Sequence, residues 1–159
     1  MLGRLFWTNE INKVHFMELT RKGDYAVRVI VDLATQPADT VVRTDDLGRR
    51  TEVPRAYLTK IVQSLARDGL VHTRRGALGG VSLAASPEAI SLLRVIEAVE
   101  GPIAVNRCVT RPPRCTRAGT CPVHPVWLRI QRLVTRELES VRIADLIPAR
   151  TPSTRQETP

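Results

Sequence analysis

The sequence predicts a mainly α-helical protein. Three patterns carry that expectation: apolar residues recur at helical spacing in several segments, one glycine-rich hairpin signal interrupts them, and every cysteine lies in a proline-rich stretch after the fourth helical segment. Strand signals are confined to the hairpin, so no large sheet is expected.

Organised sequence begins at Thr20, a plausible N-cap for RKGDYAVRVIVDLATQ, where Tyr25, Ala26, Val29, Ile30 and Leu33 recur at three- and four-residue steps and Pro37 supplies a stop. Thr44 reads as the cap of a short second helix whose first turn carries Asp45 and Asp46, as the helix macrodipole favours. The break at Glu52, Val53 and Pro54 opens a third, PRAYLTKIVQSLARDG, closed by Gly69. Leu58, Ile61, Val62 and Leu65 form its inner stripe, while Arg55, Ala56, Thr59, Lys60 and Gln63 face outward. Two short helices at a tight turn suit a helix-turn-helix with the second helix in a DNA major groove; the plain alternative is a helical hairpin with a soluble face. The next run, LVHTRRGALGGVSLA, favours the first reading. It is two short β-prone stretches around a glycine-rich turn, placed where the wing of a winged helix belongs, with Arg74 and Arg75 available to a minor groove or to phosphates.

Ser86, Pro87 and Glu88 form a helix-start signal for SPEAISLLRVIEAVEG, ending at Gly101. After the cysteine stretch comes PVWLRIQRLVTRELESV, with Val126, Trp127, Ile130, Leu133, Val134, Leu138 and Val141 on one face. A domain this small has little surface left to bury such a helix, so a homodimer interface is preferred to packing within one subunit, and paired subunits would address half-sites ~34 Å apart. The expected fold is therefore a winged helix-turn-helix DNA-binding domain over 17–101, a cysteine-rich loop over 102–124 and a long C-terminal dimerisation helix region over 125–147. Residues 1–16 lack a period or cap and read as an N-terminal extension, preferentially as translated sequence upstream of a start at Met17. Residues 148–159 read as a polar, disorder-prone tail.

The cysteine stretch carries the chemistry. Cys108, Cys115, Cys121 and His124 follow the pattern C-x(6)-C-x(5)-C-x(2)-H, interrupted by prolines and a glycine and flanked by Arg107, Arg111, Arg114 and Arg117 with no acid among them. Thiolates and imidazole are ligands of soft and borderline metals and of iron–sulfur clusters, and cationic surroundings suit an anionic thiolate site. Three cysteines leave one over from any disulfide. No secretory signal is evident, because Arg4, Asn9 and Glu10 interrupt the apolar residues near Met1, so a cytoplasmic, reducing compartment fits best. A reactive-thiol enzyme is a weaker alternative, since nothing supplies an oxyanion site. A structural zinc site of Cys3His type is the stronger one, although the short C-x(2)-C pair usual for zinc is absent.

Composition agrees. The chain has 159 residues, a formal net charge of +8, 43% hydrophobic residues and only 4% aromatic ones. That suits one small domain with an aliphatic core and a polyanionic partner such as double-stranded DNA. No apolar run approaches the ~20 residues needed to cross a bilayer, so no membrane partner is expected.

Taken together, MELTRKGDYAVR from Met17, PRAYLTKIVQSLARDGLV, RRGALGGVSL and the C…C…CPVH loop resemble the iron–sulfur winged-helix transcriptional regulators, a family that includes IscR and NsrR. The resemblance runs from about Met17 to Ile147. It implies a homodimeric bacterial regulator, preferentially a repressor, that responds to redox state, nitric oxide or iron–sulfur status. It also implies that Cys108, Cys115 and Cys121 supply three cluster thiolates. His124 matches the fourth ligand of the IscR-like branch, which holds a [2Fe-2S] cluster. Asp24 matches the aspartate that a partner subunit supplies to a [4Fe-4S] cluster in the NsrR-like branch. Both are carried as candidates, with [2Fe-2S] preferred. The family's minor-groove arginine falls on Arg75, with Arg74 in support, and Arg55, Tyr57, Thr59, Lys60 and Gln63 become candidate DNA contacts. Two departures stand out: the wing reads GALGG without the usual proline, and Glu52 holds a turn position better suited to glycine or asparagine.

Overall fold

The computed structural model describes residues 20–76, 79–110 and 114–147. The expected extension over 1–16, the tail over 148–159, Arg111 and the wing-tip residues Ala77 and Leu78 lie outside them. The described residues form five α-helices and one antiparallel hairpin: α1 (Arg21–Ala34), α2 (Thr44–Thr51), α3 (Arg55–Arg67), β1 (Val71–Arg74), β2 (Gly80–Leu83), α4 (Leu92–Glu100) and α5 (His124–Ser140), with short 3-10 turns at Pro87–Ala89, Arg107–Val109 and Ile143–Leu146. None of the described helices is long and apolar enough to cross a membrane.

Helix α1 forms as its sequence dictates. The Thr20 hydroxyl accepts a hydrogen bond from the Lys22 N–H at 3.2 Å, and Ala26, Val29, Ile30 and Leu33 are buried along one stripe. The same end is tied to the end of α4, because the Thr20 hydroxyl donates to Glu100 and the Lys22 ammonium to the Val99 carbonyl. Leu58, Ile61 and Leu65 of α3 fill the opposite wall of one core that also takes in Leu47, Leu70, Val81 and Val95. Each such fully buried branched side chain contributes roughly 1.5–3 kcal/mol.

Three helix starts differ from expectation. Thr44 is the first residue of α2 rather than its cap. That position falls to Arg43, which makes no side-chain cap bond, because Val42 is held in a β-bridge to Val81 and the chain turns directly from it. Pro54 precedes α3 as its N-cap, with its carbonyl accepting from the Tyr57 and Leu58 N–H groups. The helix expected from Ser86 is broken: after the 3-10 turn Ile90 is extended (φ −101°, ψ 119°), and α4 starts at Leu92, where the Ser91 hydroxyl accepts from Arg94 N–H at 3.3 Å. The cause lies far along the chain. Ile143 N–H donates to the Ile90 carbonyl and Leu92 N–H to the Val141 carbonyl, both at 2.9 Å, which draws 90–92 into an extended pairing with the segment after α5. Ile90 and Ile143 are fully buried there, so Ile143 belongs to the core shared with α1, and Val141 lies just past the end of α5 instead of on its face.

The turn between α2 and α3 is closed by Val53 N–H donating to the Gly48 carbonyl at 3.2 Å, with Glu52 in the left-handed region (φ 56°, ψ 30°). A side chain there costs about 1–2 kcal/mol relative to glycine. Part of that is offset by glycine's greater freedom when unfolded. Glu52→Gly is therefore expected to raise the unfolding free energy by roughly 0.5–1 kcal/mol, read as a shift of the urea midpoint at constant slope. A lowered midpoint would mean that the Glu52 side chain contributes more than its backbone strain removes.

Candidate functional site

Two surfaces carry the candidate residues. The first is built by α3 and the hairpin. With Leu58, Ile61, Val62 and Leu65 turned into the core, the helical period leaves Arg55, Thr59, Lys60 and Gln63 exposed on the other side. Arg55 pairs with Asp45 at 3.5 Å, and both side chains are largely exposed, so the pair is weak and easily exchanged for another anion. The Thr59 hydroxyl donates to the Arg55 carbonyl at 3.1 Å, which commits its proton to the helix and leaves its lone pairs available. Tyr57 is both packed and accessible: its ring meets that of Tyr25 on α1 edge-on at 5.7 Å, yet it remains 48% exposed. Arg28 in turn covers the Tyr25 ring at 5.7 Å.

The hairpin pairs Val71 with Leu83 through Arg74 with Gly80. Arg74 and the following Arg75 are exposed, and among the described residues neither they nor Lys60 have a carboxylate partner. The hairpin also has a third member that the sequence did not announce. Val42 exchanges both of its backbone hydrogen bonds with Val81, each at 2.8 Å. Gly80 allows this approach, since a Cβ there would stand 2.2 Å from the Val42 carbonyl oxygen.

The second surface is the cysteine loop. Gly101 ends α4 at φ 80° and releases a segment that two side chains hold. Glu97 accepts from Ile103 N–H at 3.3 Å, while Gln131 on α5 donates to the Ile103 carbonyl at 2.8 Å and accepts from Val105 N–H at 2.9 Å. Asn106 then accepts from Arg107 N–H at 2.7 Å and starts the 3-10 turn that buries Cys108. Cys115 and Cys121 are half-buried, and all three cysteines are free thiols. Cys121 accepts at its carbonyl from His124 N–H at 3.1 Å, so these two residues share the turn that opens α5. His124 Nδ1 is buried with no hydrogen-bond partner. A buried polar nitrogen without a partner costs free energy, and a ligand bond is one way to recover it. Arg107, Arg114 and Arg117 stay exposed around the loop.

Among the described residues, no three Cys, His, Asp or Glu side chains converge on a point that could hold a metal ion. Asp24 lies elsewhere. It pairs with Arg28 at 2.9 Å and lines a cleft of about 520 Å³ between α1, α4 and α5, whose walls include Val27, Ile96, Val134 and Leu138 and reach Ile103 and Ala104 but none of the cysteines. Sequence reasoning missed Glu97 and Gln131. The available signal was Gln131 itself, a polar residue four positions after Trp127 and three before Val134, on the side of α5 that faces the rest of the chain. The rest of α5 is poorly covered: none of its residues is buried, and Leu133 is 59% exposed.

Residues 19–149 match the family model of Rrf2, an iron-dependent transcriptional regulator. The regulator IscR of Yersinia pestis is 30% identical over 131 residues, covering 82% of this chain and 79% of IscR. Among solved structures, CymR of B. subtilis, a global cysteine regulator, superposes with a TM-score of 0.67 at 27% identity over 82% of this chain and 96% of CymR. IscR of T. potens does so with a TM-score of 0.65 at 25% identity, over 82% and 85%.

Proposed function

Because the chain belongs to the Rrf2 family of transcriptional regulators, we propose that it is a homodimeric DNA-binding repressor whose operator affinity is set by an iron–sulfur cluster on Cys108, Cys115, Cys121 and His124. The observation that carries the ligand set is the buried, unpartnered His124 Nδ1, one turn from Cys121 at the start of α5. Three free thiols and an imidazole form a donor set that a [2Fe-2S] cluster accepts, and the surrounding arginines offset the negative charge of the thiolates. When bound, such a cluster supplies an iron centre that oxidants and nitric oxide can alter or remove.

The chain's own residues do the rest. Helix α3 presents Arg55, Thr59, Lys60 and Gln63 to a major groove, where Lys60 neutralises a phosphate and Gln63 can pair with an adenine edge. Arg75, supported by Arg74, follows the minor groove beside it. Tyr57 is braced by Tyr25 and adds a phosphate contact through its hydroxyl. Helix α5 pairs with the same helix of a second subunit and sets the spacing of the two α3 helices. The loop joins the segment leaving α4 to the start of α5, so Cys108, Cys115, Cys121 and His124, if held together, would tie these two elements and, if released, would leave the segment freer. A coupling of ~1–3 kcal/mol changes operator occupancy about tenfold to a hundredfold.

Anaerobic purification followed by iron, sulfide and zinc analysis tests this reading. Iron with matching sulfide is expected in the wild type, and His124→Ala is expected to weaken cluster retention by roughly 10–100-fold or more. Loss in Asp24→Ala with retention in His124→Ala would move the fourth ligand to Asp24 and favour a [4Fe-4S] cluster. Stoichiometric zinc without sulfide, before and after anaerobic reconstitution, would overturn the sensor and leave a zinc-stabilised DNA-binding protein. Equal operator affinity of the loaded and cluster-free forms would overturn the switch.

A further inference from the structure

The start of the cysteine loop and the end of α3 are held by the same face of one helix. Glu97 and Arg94 stand three residues apart on α4, which places them on neighbouring positions of one face. Both line a cleft of about 580 Å³ that also takes in Asp68, Pro102, Glu139 and Arg142. Towards the loop, Glu97 accepts from Ile103 N–H, and Gln131 grips the same segment from α5 by the Ile103 carbonyl and the Val105 N–H. Towards α3, the Arg94 guanidinium donates to the Asp68 carbonyl at 2.9 Å and approaches the Asp68 carboxylate at 3.4 Å. Asp68 is the C-cap of α3. It is followed by Gly69 at φ 71° and by Leu70, whose N–H donates to the Leu65 carbonyl at 2.9 Å and whose carbonyl accepts from Ala84 N–H at 3.0 Å. The chain enters the hairpin at the next residue, Val71. Arg94 therefore holds the joint from which both DNA-facing elements diverge.

We propose that α4 is the lever between the cysteine loop and the DNA-facing surface, with Glu97 and Gln131 positioning the loop and Arg94 positioning the joint between α3 and β1. This rests on the reading of the loop as the sensory element. Cys108 lies only three residues after Val105, so fixing or freeing Cys108 pulls on the segment that Glu97 and Gln131 hold. The Arg94–Asp68 ion pair is about half exposed and counts for little as a charge interaction. Its effect comes from geometry: a cation on the C-cap carbonyl of α3 fixes where that helix stops.

The test is amide hydrogen exchange on the cluster-free, full-length protein, comparing wild type with Gln131→Leu, Gln131→Glu and Arg94→Ala. Gln131→Leu is expected to speed exchange at 103–106 by roughly fivefold or more, and to speed it at 68–71 as well. Coupling is reciprocal, so Arg94→Ala is expected to loosen 103–106 in addition to its own surroundings. Gln131→Glu keeps an acceptor for Val105 N–H and should fall between wild type and Gln131→Leu; it carries the test if the leucine variant fails to fold. Unchanged protection at Ile30 in the α1 core separates the effect from global unfolding. Changes confined to the substituted side in each variant would overturn the lever. Iron and sulfide analysis reports separately on the cluster reading, so a failure of one is not mistaken for a failure of the other.

Discussion

Gly80→Ala is expected to lower the unfolding free energy by about 2–4 kcal/mol and to release the hairpin from the body of the domain. A methyl group at this position would lie 2.2 Å from the Val42 carbonyl oxygen and 2.7 Å from its carbon, which no rotamer can relieve because both contacts are with backbone. Val42 would have to retreat. Its two 2.8 Å hydrogen bonds with Val81 would then be lost in a place where Val42 is 5% and Val81 1% exposed. Each unmade buried bond costs roughly 1–3 kcal/mol. The measurement is urea unfolding of Gly80→Ala beside Gly119→Ala. Gly119 has a conventional φ and nothing within 4 Å of its would-be Cβ, so that variant should stay within about 0.5 kcal/mol of wild type. Equal midpoints for the two variants would show that the Val42 bridge does not hold the hairpin. Because Arg74 pairs with Gly80 across the hairpin, operator affinity should fall along with stability.

If α5 pairs two subunits as proposed, Leu133→Glu is expected to leave the protein monomeric and to weaken binding to a two-half-site operator by at least about a hundredfold, while one half-site is bound nearly as before. Leu133, Val126 and Leu128 are exposed by 59%, 39% and 36% on a helix of 17 residues, none of them buried. What α5 does touch in its own subunit is chiefly α4 and the turn holding Cys108. A carboxylate placed in an apolar helix–helix contact costs several kcal/mol unless it finds a partner. Analytical ultracentrifugation with an operator titration reads both effects. A Leu133→Glu protein that sediments as a dimer would mean that the subunits meet through another face.

Much of this fold is local, and what is local could be read directly from the residues. The stripe Ala26, Val29, Ile30 and Leu33, the Thr20 cap, the inner stripe of α3 and the left-handed Gly69 each depend on neighbours within a turn or two. A 3.6-residue period and a glycine needing positive φ leave the same mark wherever the chain packs. The donor chemistry of Cys108, Cys115, Cys121 and His124 is equally a property of residue type and spacing.

Other features are decided by partners far away in sequence. Ser86, Pro87 and Glu88 make a sound helix start, yet the helix begins at Leu92 because Ile90 pairs with Ile143 and both are buried. Val42 looks like part of a connection and becomes the third member of the hairpin because Gly80 lets its backbone in. Gln131 looks like a soluble residue on an amphipathic helix and instead grips a loop 26 and 28 residues earlier. Propensity and periodicity record what each segment favours alone. Buried backbone groups must still find partners, and when the partner comes from a distant segment, only the assembled tertiary structure determines which local preference gives way.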